Sequence, residues 1–197
     1  MQSTTRETYT GQKVDLAHPD PKSINIEDIA WHLARIARYN GATRSDNVYS
    51  VAQHCVLVLN RVRSQEPAAS QSLLLTALLH NAHVAYIGDV ISPMGQLLDL
   101  RLPLQRLKSR MQNAIYTGLL KEMRFGGQKF VAYLGPVIPA ADKWAASYES
   151  YHLLHSRGNW HTDKVFLEEE FIMRNVIVWS PEQARSSFLN HYRDLSS

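Results

Sequence analysis

The sequence predicts an all-α protein with a short extended arm at its N-terminus. Apolar residues recur at helical spacing along most of the chain, and Asn25, a residue suited to N-capping, precedes the first such segment. A strand or hairpin is indicated only near the N-terminus. The 197 residues, 45% of them hydrophobic, are enough to bury the core of one domain. We therefore predict an arm over residues 1–24 and a single helical bundle over residues 25–197.

Each predicted element follows from a local pattern. Residues 8–16 predict a short strand or hairpin, and the HPDP segment after it imposes extended or turn geometry. The first helix is predicted from its N-cap Asn25 through Tyr39, just before an Asn-Gly pair. The third predicted helix, over residues 69–86, is apolar nearly all round, so we expect it at the centre of the helical bundle. Helices are further predicted over residues 49–63, 69–86, 102–123, 140–155 and 181–195.

Charge and composition narrow the classes of partner. The chain has 21 Lys and Arg against 18 Asp and Glu, a net charge of +3 without a polybasic cluster that would indicate nucleic acid. No uncharged run approaches the roughly 18 residues of a membrane span, and the N-terminus lacks an apolar signal core. The lone Cys55 lies in an apolar segment and is interpreted as structural. These features predict a soluble cytoplasmic protein.

Three short segments carry residues that are able to bind a metal ion. They read YSVAQH at residues 49–54, ALLHNAHVAYIGDV at 77–90 and ADK at 141–143. From spacing alone, His54 and His80 are either ligands or hydrogen-bonded core residues. Asp142 is either a ligand or an N-cap at the start of a helix. His83 is interpreted as a structural histidine, with a substitute ligand as the alternative.

In their order along the chain and in their local residue sequences, these segments resemble the HD-domain phosphohydrolases, over about residues 24–149. Within that superfamily the chain is similar to bacterial 5'-deoxynucleotidases and to phage deoxynucleotide triphosphohydrolases, including those that act on dATP. The resemblance implies an HD-type helical bundle and a homo-oligomer, either dimer or hexamer. It also implies a divalent metal ion (cobalt, manganese, zinc or magnesium) and a deoxynucleotide as the small-molecule partner.

The resemblance assigns the metal to His54, His80, Asn81 and Asp142. Imidazole and carboxylate ligands suit transition-metal ions, but Asn81 stands where the relatives have the Asp of the HD pair. An amide oxygen brings no charge, so the site keeps one formal negative charge instead of two. We expect weaker metal binding than in the relatives.

The implied catalytic and substrate residues are also incomplete. The catalytic Glu of the relatives falls on Val84, which cannot transfer a proton, and loss of acid–base assistance costs about 10²- to 10⁴-fold in rate. Asp89 matches an acidic residue that orients the attacking water. Arg38, Tyr39 and Lys143 are the implied substrate-binding residues, with Arg38 near the phosphate or sugar.

Two function hypotheses follow from these departures. The first is a metal-dependent deoxynucleotide phosphohydrolase whose hydrolysis is impaired by Asn81 and Val84. The second is a natural pseudoenzyme that binds a nucleotide or a protein partner without turnover. Two further departures, Ala42 and Gly95, replace residues that contact phosphate or metal in the relatives and favour the second hypothesis.

Overall fold

Helices make up most of the protein, as the sequence predicts. The computed structural model describes residues 3–91, 94, 96–120, 136–157 and 176–197, so Gly95 lies outside the described residues. The described α-helices, in chain order, are α1 (Ile26–Leu33), α2 (Val51–Gln65), α3 (Gln71–Leu79), α4 (Val84–Ile87), α5 (Leu98–Leu119), α6 (Val137–Leu153) and α7 (Pro181–Ser196). No helix within these ranges combines the length and apolar character of a membrane span.

The core lies around α2 and α3. Helix α2 packs against α3, α6 and α7, and α7 also packs against α3 and α1. Every residue of α3 from Leu74 to its end is buried, which confirms the central position that its apolar sequence predicts. Helix α2 begins at the N-cap Ser50, whose side chain accepts a hydrogen bond from the Gln53 backbone N–H. This hydrogen bond caps the N-terminus of α2.

The predicted arm forms an antiparallel hairpin of β1 (Thr5–Glu7) and β2 (Lys13–Asp15). It is fastened to α1 by the buried carboxylate of Asp28, which accepts hydrogen bonds from the Thr8 hydroxyl at 2.7 Å and from the Thr10 backbone N–H at 2.7 Å. Val14 of β2 is fully buried in the core. The arm therefore contributes to the hydrophobic core.

Helix α1 is shorter than its pattern predicts, since it begins after the N-cap Asn25 as expected but ends at Leu33 instead of Tyr39. Tertiary pairing competes with the helix here: the Arg38 backbone N–H donates to Tyr49 O at 2.9 Å. Tyr39 and Asn40 then take left-handed backbone conformations, with φ of 53° and 52°. The chain leaves the helix to run beside the start of α2.

The segment predicted as one helix over residues 69–86 is two helices separated by a turn. Helix α3 ends at Leu79, and α4 begins at Val84. In the turn, backbone N–H groups bond to the carbonyl three residues earlier, as from Ala82 N to Leu79 O at 2.9 Å.

Gly118 of α5 allows the arm to approach closely, because a Cβ atom built there lies 2.4 Å from the carbonyl oxygen of Pro21. Gly→Ala inside a helix ordinarily stabilises by about 0.5–1 kcal/mol. We expect Gly118→Ala to destabilise instead, because overpacking would lower the free energy of unfolding by about 1–3 kcal/mol. Urea denaturation measures it, with exposed Thr117→Ala in the same turn as the control. Equal stability of the two variants would contradict this prediction.

Candidate metal site

Three helices bring two histidines and one aspartate together. His54 lies in the first turn of α2, His80 is the C-cap of α3, and Asp142 lies in α6. The Nε2 atom of His54 is 3.1 Å from Asp142 Oδ1 and 3.3 Å from His80 Nε2, and His80 Nε2 is 3.8 Å from Asp142 Oδ1. Among the described residues these three form the group whose donor atoms have metal-ligand spacing.

The hydrogen bonds of the two rings determine which nitrogens face the site. The Nδ1 atom of His80 lies 2.7 Å from the carbonyl oxygen of Ala77. The Nδ1 atom of His54 lies 2.6 Å from a carboxylate oxygen of Glu149. Because both partners only accept, each Nδ1 carries the proton, and each neutral ring leaves a lone pair on Nε2. Two lone pairs and a carboxylate then face one another, an arrangement that a cation stabilises.

The donor spacing also fits a metal ion. Three atoms bound to one ion at roughly 2.1 Å lie about 3–3.5 Å apart when the angles are right or tetrahedral. Two of the observed separations, 3.1 and 3.3 Å, lie in that range, and the third, 3.8 Å, is slightly wider. Two imidazoles and one carboxylate suit zinc, cobalt, manganese or iron better than they suit calcium. The residues present therefore fit a divalent transition-metal ion.

Behind His54 lies the carboxylate of Glu149, which is 1% exposed. Its Oε1 atom contacts His54 and accepts a hydrogen bond from the Tyr49 hydroxyl at 3.0 Å. Its Oε2 atom accepts from Arg38 Nη2 and from the Tyr39 hydroxyl, each at 3.0 Å. Four donors within residues 38–54 thus satisfy one buried carboxylate.

These contacts shift the ionisation of the site. Burial raises the pKa of Glu149, but Arg38 and His54 outweigh burial and lower it to about 2. Burial likewise opposes ionisation of Asp142, yet contact with His54 and His80, whose rings carry positive charge when protonated, holds its pKa well below the usual range. Burial and Arg38 oppose protonation of His54, but Glu149 and Asp142 raise its pKa overall. Both carboxylates are ionised at neutral pH.

Because the pKa of Glu149 is low, the free energy of unfolding depends on pH in the acid range. The pKa is about 2 in the folded protein and 4.5 as the ordinary value, so the unfolded chain binds the proton more readily. The contribution, roughly 3 kcal/mol, is present above pH 4.5 and is lost as pH falls towards 2. Urea midpoints between pH 6 and 2.5 measure it. We expect Glu149→Gln to flatten that dependence; equal slopes in both proteins would contradict the assignment.

The other predicted site residues differ in burial and in their place in the fold. Asn81 is half-buried in the turn directly after His80. Val84 is 3% exposed and belongs to the hydrophobic core. Asp89 is half-buried after α4, and Lys143 is exposed on α6 beside Asp142. Val84 therefore makes apolar contacts at the position to which the predicted resemblance assigns a proton-transfer group.

The predicted substrate residues Arg38 and Tyr39 both contact Glu149. The Arg38 side chain is 17% exposed, and its buried Nε atom has no hydrogen-bond partner among the described residues. Burial, foremost, and the Glu149 charge raise the pKa of Tyr39 above its ordinary value. Ala42, after this loop, is exposed. Arg38 and Tyr39 thus hold Glu149 in place behind His54. Their contact with a substrate stays a prediction.

Two alternatives from the sequence are settled by position. Asp142 is the sixth residue of α6, whose N-cap is Pro136, so the interpretation as an N-cap is wrong. His83 is 8% exposed and lies 3.0 Å from the Gln112 side-chain oxygen. Burial lowers the pKa of His83 to about 4, so its ring is neutral. His83 is the structural histidine that we predicted.

Glu149 is not among the residues that the sequence predicts for the site. A signal was available, because Glu149 follows Asp142 by seven residues, or two helical turns, and so shares its side of α6. It also follows the buried Ala145 by four residues. An acidic residue on the apolar face of a helix indicates a buried partner.

Fold and site together define an all-α protein with a candidate His-His-Asp metal centre. No protein-family model matches the chain. It is 40% identical over 94 residues to an uncharacterized protein of Rhodobacter capsulatus, covering 48% of each chain. It is 34% identical over 91 residues to the uncharacterized protein YfdR of Escherichia coli K12, covering 46% of each. The chain thus spans about half the length of these curated relatives.

Proposed function

We propose that the protein binds one divalent transition-metal ion between His54, His80 and Asp142, and a deoxynucleotide phosphate beside it. On this proposal it is an HD-type phosphohydrolase with impaired hydrolysis. The observation that carries the proposal is the meeting of two imidazole Nε2 atoms and one carboxylate oxygen at 3.1–3.8 Å. A divalent cation would be held by all three, and these ligands come from three separate helices.

Charge supports an anionic ligand. A divalent ion with two neutral imidazoles and one carboxylate keeps a net charge of +1, since Asn81 adds none. Lys143, exposed next to Asp142, adds another positive charge nearby. A phosphate group is an anion that such a centre would attract, and the predicted resemblance to deoxynucleotidases is the reason for proposing a deoxynucleotide.

The chain's own groups favour slow hydrolysis. A bound metal ion would lower the pKa of water and polarise a phosphoryl oxygen. The histidines and Asp142 would hold that ion, whereas Val84 is apolar and moves no proton. Asp89 is the remaining acidic candidate for orienting water. We infer a rate well below that of an enzyme with general acid–base assistance.

The burial of Val84 favours a second candidate function. Its side chain is packed in the hydrophobic core, so the position is adapted to stability and not to proton transfer. A natural pseudoenzyme that binds a nucleotide or a protein partner without turnover accounts for this packing. The two candidates share the metal site and differ in turnover.

The test uses the purified 197-residue protein stripped of metal with a chelator. We expect one zinc, cobalt or manganese ion to bind per chain, and deoxynucleotides to raise the unfolding temperature only when metal is present. A ligand at 100 times its Kd stabilises by about 2.7 kcal/mol. Release of phosphate, pyrophosphate or triphosphate should be slow, and undetectable release favours the pseudoenzyme.

Controls separate the parts of this proposal. His80→Ala should abolish metal binding, whereas His155→Ala, at an exposed histidine outside the centre, should not. Absence of metal binding by the wild type would overturn the proposal. Rapid turnover would overturn the inferred impairment, and no response to any deoxynucleotide in the presence of metal would indicate a protein partner.

A further inference from the structure

The strongest unassigned feature is the buried carboxylate of Glu149, on the side of His54 away from the metal centre. Its oxygen lies 2.6 Å from His54 Nδ1, and both residues are almost completely buried. Glu149 and Asp142 lie on the same helix, α6, and contact opposite nitrogens of the same ring. The ring is therefore held between two carboxylates.

Contact with Glu149 determines the tautomer of His54. Both carboxylates only accept hydrogen bonds, but Glu149 lies closer to the ring, at 2.6 Å against 3.1 Å for Asp142, and it is buried whereas the Asp142 side chain is 43% exposed. In the neutral ring, Nδ1 therefore carries the proton and Nε2 has a lone pair. That lone pair lies 3.1 Å from Asp142 Oδ1 and 3.3 Å from His80 Nε2. With the opposite tautomer, an N–H would occupy the ligand position.

We propose that Glu149 is a positioning residue that commits His54 to bind metal through Nε2 and thereby sets metal affinity. This inference rests on the proposed function for its metal. Partners of this kind fix ring orientation and raise ligand basicity, and their loss typically costs 10- to 100-fold in metal affinity.

The surrounding donors explain how an acidic side chain is kept in the interior. Arg38 supplies the compensating charge at 3.0 Å, and the hydroxyls of Tyr39 and Tyr49 occupy the remaining acceptor positions at 3.0 Å each. A buried charge that is paired and hydrogen-bonded is tolerated, whereas an unpaired one is strongly destabilising. The loop carrying Arg38 therefore supports the metal ligand through Glu149.

The test compares wild type with Glu149→Gln, whose amide nitrogen is able to donate to Nδ1. Two-dimensional ¹H–¹⁵N NMR of the metal-free protein, at a pH where the His54 ring is neutral, reports the protonated ring nitrogen, a signature that loss of packing alone does not change. We expect His54 to shift from Nδ1–H towards Nε2–H. Zinc affinity, measured against a chelator, should fall about 10- to 100-fold.

Two further variants make the test decisive. Tyr49→Phe removes another hydrogen bond to the same Glu149 oxygen and should leave the tautomer unchanged and zinc affinity within about threefold. If Glu149→Gln does not fold, Arg38→Met combined with Glu149→Gln removes both charges and leaves neither unpaired. The double variant should show the same tautomer and affinity changes.

The outcomes distinguish this inference from the proposed function. An Nδ1–H tautomer and zinc affinity that are both unchanged in the variant would overturn the positioning role. So would an equal loss of affinity in Tyr49→Phe. A tautomer shift in a protein that binds no zinc would overturn the proposed function, while supporting the role of Glu149 in orienting His54.

Discussion

Replacing Asp142 with asparagine should lower zinc or cobalt affinity by more than the 10- to 100-fold that loss of an outer partner costs. Asp142 is the one charged group in the three-residue centre, with Oδ1 3.1 Å from His54 Nε2. Asparagine has nearly the same shape but supplies a neutral oxygen. Because Asn81 is already neutral, the variant centre would have no formal negative charge.

Zinc competition with a chelator and the absorption spectrum of bound cobalt measure this effect. Asp99→Asn, which removes the same charge at an exposed position of α5, is the matched control. We expect the control to bind as the wild type does. Retained affinity in Asp142→Asn would show that metal binds elsewhere and would end the assignment of this centre.

The second large effect concerns Val84. Replacing it with glutamate restores the residue that the resemblance implies, but the position is 3% exposed and lies in the hydrophobic core. Burial of an unpaired carboxylate carries a penalty of several kcal/mol. We expect a loss of about 3 kcal/mol or more, or a fall of roughly 6–12 °C in Tm for a chain of this size.

Asn81→Asp is the matched comparison, because it restores the other implied carboxylate at a half-buried position beside His80. Two unit charges 4 Å apart attract by about 4 kcal/mol at an effective dielectric constant of 20. A gain of at least about tenfold in metal affinity, equal to 1.4 kcal/mol, is therefore expected, with little loss of stability.

Calorimetry without metal and zinc competition test this contrast. A stable Val84→Glu protein that hydrolyses deoxynucleotides would show that the side chain reaches the centre, contrary to its packing here. An Asn81→Asp protein with unchanged metal affinity would show that residue 81 does not act as a ligand.

Local patterns predict well where helices occur, but they predict less well where the helices end. Helix α7 begins after Ser180, whose capping box with Gln183 stabilises the first turn, and it lies within a residue of its predicted bounds. Helix α1 ends six residues early because residues 36–38 pair with 49–51. The periodicity of one segment contains no information about its pairing with a segment further along the chain.

By itself the sequence determined the all-α class, the N-terminal arm and the positions of His54, His80 and Asp142, because helix propensity, capping and short motifs are local. Tertiary structure alone decided that their donor atoms meet within 4.8 Å of one another. It also showed that Glu149 lies behind His54. These distances join residues up to 95 positions apart, and only the packing of α2, α3 and α6 sets them.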